Sequence, residues 1–482
     1  MYDAAIIGAG VVGASVAREL SRFDLKTLVI EKEHDVAMGA SRANSGIVHA
    51  GYDAKPGSKK AQFNIAGTRM FDVLSAELDI PFRRNGSIVI ATDGEGTARL
   101  RALKAQGLAN GVRNLEILTK DEALKLEPNI TDSVVSALHA PDGGIVCPYE
   151  MTIALSENAA YNGVEFMLGR RVVGICRQEG FFKISTCSGE VEAKVVVNAA
   201  GVYSDEINNM LSENKLKIVP RRGEYVLYDK SEGGLVGRTV FQLPTVMGKG
   251  VLVVPTVHGN LLVGPTSVDI EDKDDTATTK DGLETVQQRA TLALGQMPKG
   301  NIIANFAGLR AHHPSGDFIV EEAADVPGLV NLCGIASPGL TAAPAIGKWA
   351  AEKAAEILGA RPRESFNPVR RRFKAFASMS ENEREKAIAE NPDYGRVICR
   401  CEHVTKAEIV AALGSPLKAN SLDALKRRTR AGMGRCQGGF CWMRLVGMIA
   451  EECGIDITQV TKAGAGTNIL IERNKASMGG RA

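Results

Sequence analysis

Residues 2–13, Y-D-A-A-I-I-G-A-G-V-V-G, constrain the fold more than any other stretch. Residues 4–7 are a short apolar run of the kind that forms a buried parallel strand. Gly8, Gly10 and Gly13 follow in G-x-G-x-x-G spacing, and a helical pattern begins at Ala14. Gly8 permits a tight turn, Gly10 lets a phosphate approach the backbone, and Gly13 lets helix pack on strand. The helix N-terminus adds free N–H groups and partial positive charge, which makes the unit a cradle for a dinucleotide pyrophosphate. A second strand pattern, residues 25–30, ends at Glu31, eighteen residues after Gly13. A carboxylate there accepts hydrogen bonds from a ribose diol, which a mere glycine turn would not require.

The 482 residues leave room for about three domains. A net charge of +2 gives no global field for nucleic acid. The N-terminus lacks a basic leader and carries Asp3, so no signal peptide is expected. No apolar run reaches the ~18 residues of a membrane span. Nine cysteines without a leader point to reduced thiols and a cytoplasmic location, or a membrane-peripheral one through partners.

Residues 38–53, M-G-A-S-R-A-N-S-G-I-V-H-A-G-Y-D, form a long small-residue loop after the second strand. A loop at that strand end can lie along phosphates and a flavin ring. Residues 195–201, V-V-V-N-A-A-G, read as another buried strand with a small-residue turn beside the first. Residues 82–91 read as one strand. Residues 218–228 and 250–264 have strand character broken by proline and glycine, which suggests an antiparallel sheet in a second, substrate-covering lobe. Residues 361–392 read as a charged helical linker, and residues 468–472 as the one strand of the tail.

Four of the cysteines cluster late. Cys399 and Cys401 form C-x-C, and Cys436 and Cys441 form C-x4-C after a gap of thirty-four residues. Four thiolates in two close pairs suit a [2Fe–2S] cluster or a tetrahedral zinc, although zinc more often takes C-x2-C pairs. Gly432, Gly434, Gly438 and Gly439 would let backbone N–H groups point at the sulfurs. Lys426, Arg427, Arg428, Arg430 and Arg435 could offset the negative charge of such a centre.

Together these motifs resemble known families. The turn with Glu31, the loop S-R-A-N-S-G-I-V-H-A-G, the turn N-A-A-G-V-Y-S-D and the late S-P-G-L-T-A-A-P-A-I-G resemble FAD-dependent oxidoreductases of the glycine-oxidase and D-amino-acid-oxidase fold. Within that fold the chain is similar to L-2-hydroxyglutarate and glycerol-3-phosphate dehydrogenases. Residues 397 to about 453, with R-T-R-A-G-M-G-R-C-Q-G-G-F-C, resemble the bacterioferritin-associated-ferredoxin-like [2Fe–2S] domain. The combination resembles the large subunits of anaerobic glycerol-3-phosphate dehydrogenases.

The resemblance implies an α/β class: a Rossmann-type FAD-binding domain with an antiparallel-sheet substrate lobe, plus a small helical Fe–S domain. The oxidoreductase would span residues 1–360. Its FAD-binding parts would be about 1–80, 145–215 and 305–360, and its substrate lobe about 81–144 and 216–304. A linker at 361–395, the cluster domain at 396–455 and a tail at 456–482 would follow. Gly8, Gly10 and Gly13 would hold the FAD pyrophosphate and Glu31 the ribose. Ser41, Asn44, Ser45 and Gly46 would line phosphates and flavin. Val172 would present its backbone to adenine, Ala200 and Gly201 would back the ribityl chain, and Gly339, Leu340 and Thr341 would approach the pyrimidine ring. Cys399, Cys401, Cys436 and Cys441 would ligate the [2Fe–2S] cluster.

The expected chemistry is oxidation of a small anionic secondary alcohol, glycerol 3-phosphate first and L-2-hydroxyglutarate second. His49 is the first candidate base, with His258, His312 and His313 as rivals. Arg310, in G-L-R, is the candidate to hold the substrate anion, because a guanidinium fork matches carboxylate and phosphate. Arg222 and Tyr225 could face the substrate too. Gly339 stands where glycerol-3-phosphate dehydrogenases carry a substrate-binding lysine, and His49-Ala50-Gly51 is more like the 2-hydroxyglutarate enzymes. No second dinucleotide motif is present for NAD. The four-cysteine centre would therefore pass electrons to a partner flavoprotein, an acceptor subunit or a quinone-linked carrier. An amine oxidase of the same fold and an electron-transfer subunit are the competing readings.

Overall fold

The computed structural model describes residues 1–243, 250–370 and 372–472. The chain forms two compact units. One comprises residues 1–32 and 36–370. The other comprises residues 33–35 and the described part of 371–482.

The first unit is built on two sheets. In the eight-stranded sheet, Tyr2–Ile7 lies between Gly189–Asn198 and Thr27–Ile30, parallel to both. All four residues of Thr27–Ile30 are buried, as a central parallel strand requires. The helix Val11–Leu20 leaves the first strand through Gly10. The alanine-rich helix Gly339–Leu358 packs against it, and small residues set the distance: a Cβ on Gly347 would sit 2.5 Å from the Ser15 Cβ. The same helix meets Lys59–Leu78, where a Cβ on Gly67 would fall 2.0 Å from the Thr341 carbonyl oxygen.

The nine-stranded sheet forms the second lobe. Its centre is the long pair Val219–Tyr228 and Ile302–His312, antiparallel with Arg221 opposite Arg310 and Tyr225 opposite Phe306. The sheet is antiparallel apart from Thr239–Gln242, which runs parallel to Ser87–Ala91. Residues 82–91 are two strands rather than one. Phe82–Arg83 joins a small sheet with Ile47–Val48 and Gly144–Val146, and Ser87–Ala91 enters the large one. Gly86, at φ +74°, makes the break. Residues 250–264 are likewise a hairpin, Leu252–Pro255 and Leu261–Gly264.

Residues 361–370 lie along the first unit: the Arg22 guanidinium sits 4.1 Å from the Phe366 ring centroid, and Arg370 pairs with buried Glu157 at 2.7 Å. Among the described residues of 361–392 only Glu381–Glu390 is α-helical, started by a Ser380–Glu383 capping box. The second unit holds the hairpin Val397–Cys399 and Val404–Thr405 and the helices Lys406–Leu413, Leu422–Thr429 and Trp442–Cys453 around one apolar core. Residues 468–472 are not a strand; Asn468 makes a single bridge to Thr461. Among the described residues no helix is long and apolar enough to cross a membrane.

Candidate cofactor and substrate sites

The first turn has the geometry its glycines predict. Gly8 takes φ +104°, and a Cβ there would meet the Ala199 carbonyl oxygen at 2.6 Å. The Ala199-Ala200-Gly201 turn therefore packs on the first one. A Cβ on Gly13 would lie 1.9 Å from the Gly8 carbonyl oxygen, so no side chain fits between helix and turn. A Cβ on Gly10 would lie 3.2 Å from the Ser41 Oγ. Ser41 accepts from the Val11 N–H at 2.8 Å, which seats the 38–53 loop over the helix start. Glu31 accepts from the Ala9 N–H at 2.6 Å, which orients its carboxylate at the edge of the same turn. Gly8, Gly10, Gly13, Glu31, Ser41, Ala200 and Gly201 are thus gathered around one backbone cradle. A dinucleotide fits such a cradle: N–H groups at a helix start, no side chains in the way and a carboxylate at the far side.

The loop is fixed from within. Asn44 donates to the Ala40 carbonyl at 3.0 Å and accepts from the Gly46 N–H at 2.8 Å. Gly46, at φ +65°, has the Val146 carbonyl against it, which a Cβ would approach to 2.5 Å. Thr341, fully buried, accepts from the His49 N–H at 2.9 Å and donates to the Ile47 carbonyl at 3.2 Å. The Thr68 hydroxyl donates to the His49 carbonyl at 2.7 Å. Both backbone polar groups of His49 are therefore pinned, and its ring lies 5.9 Å from that of Phe241. Gly339 and Leu340 are the first residues of the helix that carries Thr341, not a turn before it. Val172 begins the strand Val172–Gln178, paired with Thr186 in the parallel sheet's antiparallel extension.

The second lobe meets this loop through one face of its central strand pair. Side chains alternate along a strand, so Tyr225, Phe306 and Arg310 share a face with Gly223 and Gly308. Tyr225 stacks on Phe306 at 4.9 Å, and its hydroxyl lies 3.3 Å from the Ser45 Oγ. A Cβ on Gly308 would lie 2.0 Å from the Ala43 carbonyl oxygen, and one on Gly223 2.8 Å from an Arg310 Nη. These two glycines let loop and guanidinium lie flat on the sheet. Arg310 donates to the Thr266 carbonyl at 2.5 Å and forms no ion pair with a carboxylate among the described residues. Burial holds its pKa below the usual arginine value. Burial also pushes the Tyr225 phenol up, with the Arg310 charge opposing.

Arg222 is not part of this face. The pleat turns it to the other side, where it bonds Asp275 at 2.6 Å and lies 3.5 Å from Glu224. Of the rival histidines, His258 lies 2.8 Å from buried Glu150. His312 ends the strand Ile302–His312, and His313 bonds Ser315. Cys333 is a core residue beside Asn198 and Asn331, and burial pushes its thiol up to about 12. Sequence reasoning missed Gly223, Gly308, Phe241 and the Thr266 carbonyl. Gly308 and Gly223 were within reach, since each stands two residues from a chosen side chain on one face of a strand. Phe241 and Thr266 carry no local signal.

The second unit brings the four cysteines together. The Cys401 and Cys436 sulfurs are 3.7 Å apart, and Cys399 is hydrogen-bonded to Cys441. That bond, with the Gly432 and Glu402 N–H groups, pulls the Cys399 thiol down to about 6. The Phe440 and Gly438 N–H groups point at the Cys436 sulfur. Amides that donate to sulfur are what a thiolate-ligated cluster needs around it. A Cβ on Gly434 would sit 2.2 Å from the Cys401 Cβ, and one on Gly438 1.9 Å from the Trp442 Nε1. The donor set and its amides fit a [2Fe–2S] cluster. Two members of the basic run face elsewhere. Arg427 and Arg428 lie on helix Leu422–Thr429 and clasp buried Asp35 at 2.6 and 2.9 Å. Arg430 pairs with Glu402 at 2.8 Å. The free-standing feature here is Phe440, 87% exposed between Cys436 and Cys441, with Met443 exposed beside it.

Comparisons with known proteins agree with this geometry. A family described as FAD dependent oxidoreductase matches residues 3–353, and one described as BFD-like [2Fe-2S] binding domain matches residues 397–451. A glycerol 3-phosphate dehydrogenase of Caloramator mitchellensis is 47% identical over 479 residues, 99% of this chain and 100% of that protein. An L-2-hydroxyglutarate dehydrogenase of Indibacter alkaliphilus is 32% identical over 273 residues, 55% of this chain and 68% of that protein. Among solved structures, the dithionite-reduced L-alpha-glycerophosphate oxidase of Mycoplasma pneumoniae with FAD bound superposes with a TM-score of 0.72 at 31% identity. It covers 77% of this chain and 98% of its own.

Proposed function

The chain belongs to the FAD-dependent oxidoreductases and carries a BFD-like [2Fe–2S] domain, and on that premise we propose that it oxidises glycerol 3-phosphate to dihydroxyacetone phosphate. The observation that carries the substrate class is Arg310: a half-buried guanidinium without a carboxylate partner among the described residues, on the face that meets the Ser45–His49 loop. Leaving such a cation unpaired is costly unless a ligand anion completes it. The full-length likeness to a glycerol 3-phosphate dehydrogenase supports phosphate as that anion.

FAD, when bound, supplies a two-electron acceptor for the hydride of the secondary alcohol. The chain's residues do the rest. Gly8, Gly10 and Gly13 open the backbone to the pyrophosphate, and Glu31 takes the ribose hydroxyls. Asn44, Ser45 and Gly46 would line the flavin, Val172 would offer backbone to the adenine, and Gly339, Leu340 and Thr341 would hold the pyrimidine side. Arg310 fixes the anion, and Tyr225, held by Ser45 and Phe306, closes that end of the pocket. His49, its backbone anchored by Thr341 and Thr68, takes the hydroxyl proton as general base. Cys399, Cys401, Cys436 and Cys441 would hold the [2Fe–2S] cluster, which would supply one-electron chemistry between the flavin and a separate acceptor.

A 2-hydroxy acid is the second reading, favoured by Gly339 at the position where glycerol-3-phosphate dehydrogenases carry a lysine; a Cβ there would lie 2.9 Å from the Ile335 Cγ2, so Ile335 would have to shift to admit one. Anaerobic mixing with glycerol 3-phosphate, L-2-hydroxyglutarate, glycine and proline, followed by flavin absorbance, tests the proposal. Bleaching by glycerol 3-phosphate at the lowest concentration is expected. Bleaching by L-2-hydroxyglutarate instead selects the second reading, and bleaching by an amino acid alone overturns both.

A further inference from the structure

Cys147, Glu150 and His258 stand together outside the cradle, the anion site and the four-cysteine centre. Their sulfur, carboxylate oxygen and imidazole nitrogen all lie within 4.8 Å of one another. Cys147 and Glu150 are each 3% exposed, and His258 is half-buried. The group has a built geometry. Cys147 is the N-cap of helix Pro148–Tyr161 and Glu150 lies in its first turn, so sulfur and carboxylate project from one helical turn. His258 comes from a different element, the tight turn between Leu252–Pro255 and Leu261–Gly264. That turn is closed by the Thr256 N–H to the Asn260 carbonyl at 2.8 Å and by Asn260 Nδ2 to the Tyr228 carbonyl at 3.0 Å. The His258 Nε2 lies 2.8 Å from the Glu150 Oε1.

We propose that Cys147, Glu150 and His258 are three ligands of a site for one borderline-soft divalent cation, Zn²⁺ being the representative. The donors decide the class. A thiolate, an imidazole and a carboxylate together are characteristic of zinc, with sulfur at about 2.3 Å and nitrogen or oxygen at about 2.0–2.2 Å, and three protein ligands leave a fourth position for water. A hard cation such as Mg²⁺ or Ca²⁺ would not select the sulfur. Side-chain rotation would bring the three donors, all within 4.8 Å of one another, onto one ion. The ion would rivet the β-turn at His258 to the start of the helix. The strand before that helix, Gly144–Val146, is bonded to Ile47–Val48 and the Gly46 carbonyl, so the rivet would stiffen the His49 loop from behind.

The test uses holoenzyme with its iron content verified, stripped with a mild chelator and then titrated with Zn²⁺. The expected result is one tightly bound zinc per chain, with a zinc-edge X-ray absorption shell of one sulfur and the remainder nitrogen or oxygen. H258Q and E150Q, checked for full FAD and iron content, should each bind that zinc at least about tenfold more weakly. Zinc should raise the melting temperature of the parent and not of H258Q. C147S serves as a third variant if it retains FAD. Equal zinc binding by the parent and both variants, a four-sulfur shell, or no binding by the parent would overturn the proposal.

Discussion

Replacing Arg310 by methionine separates what this residue does for the substrate from what it costs the fold. One of its five N–H donors is taken by the Thr266 carbonyl. The rest are available to an anion, and two of them suffice for a bidentate grip. Charge-assisted hydrogen bonds contribute about 1.5–3 kcal/mol each, so losing two costs about 3–6 kcal/mol. At about 1.4 kcal/mol per tenfold, kcat/KM for the anionic substrate should fall by roughly 10²–10⁴, with a raised KM. Arg310→Lys keeps the charge and loses the fork, so its loss should be smaller, about 10–10²-fold. Stability should move the other way. Arg310 is half-buried and has no carboxylate partner among the described residues, so an apolar side chain in its place should be neutral or slightly stabilising. The assay is steady-state flavin turnover with an artificial acceptor, beside thermal unfolding of the same samples. Glycerol, which lacks the anion, is the control, and its slow oxidation should be equal in parent and variant. A kcat/KM for the anionic substrate within about fivefold of the parent, or an equal loss on glycerol, would show that Arg310 does not hold the anion.

Glu31→Gln keeps the shape of the side chain that accepts from Ala9 but removes its charge; FAD affinity, read by flavin fluorescence on dilution, should weaken by about 10–10²-fold, since a hydrogen bond to a charged group is worth about 1.5–3 kcal/mol. His49→Gln should lower kcat by about 10²–10⁴ while FAD content stays full. Cys436→Ser should lose iron and sulfide and all turnover with a protein acceptor, yet still bleach with substrate. Asp35 tests pH. Burial pushes its carboxyl up, but Arg428 and Arg427 more than offset this and hold it below the usual value. The stability it confers is therefore present above the unfolded pKa of about 3.9 and is lost as pH falls through the lower folded value. Acid unfolding of the cluster-bearing unit should begin below about pH 4, and Asp35→Asn should cost about 3–5 kcal/mol at neutral pH, because it leaves two guanidiniums without their anion.

The cofactor cradle was legible because its information is local. Gly8, Gly10, Gly13 and Glu31 lie within one βαβ unit, and each glycine has a single steric reason that a reader of the sequence can supply. The cysteine pairs were legible for the same reason. The face proposed to hold the substrate anion was only half legible. Arg310 and Tyr225 could be chosen by chemistry, but Arg222 is as good a cation on paper. What separates them is the two-residue period of the strand Val219–Tyr228, which places Arg222 with Asp275 and Glu224 and Tyr225 with Arg310. Register is a tertiary property, and no motif announces it. Two members of the basic run before Cys436 could not be placed for a similar reason: Arg427 and Arg428 answer to Asp35, nearly four hundred residues earlier in the chain. Gly86, which splits an apolar run between two sheets, also could not be weighed without the partner strands.

The face shared by Gly223, Tyr225, Phe306, Gly308 and Arg310 acts as a ruler. Along it, side chains recur only at every second residue, about 6.7 Å apart. Position 306 is filled by a ring stacked on Tyr225, and position 308 is closed by the Ala43 carbonyl. A cation can stand at 310 or, one step further out, at 312, where His312 now lies. If Arg310 holds the substrate anion, as proposed, moving that charge along its strand would change the distance from the reacting carbon to the anion in whole steps of the pleat. A relative that accepts a longer acid need not rebuild the pocket; moving one positive charge by two residues would lengthen the gauge by one division.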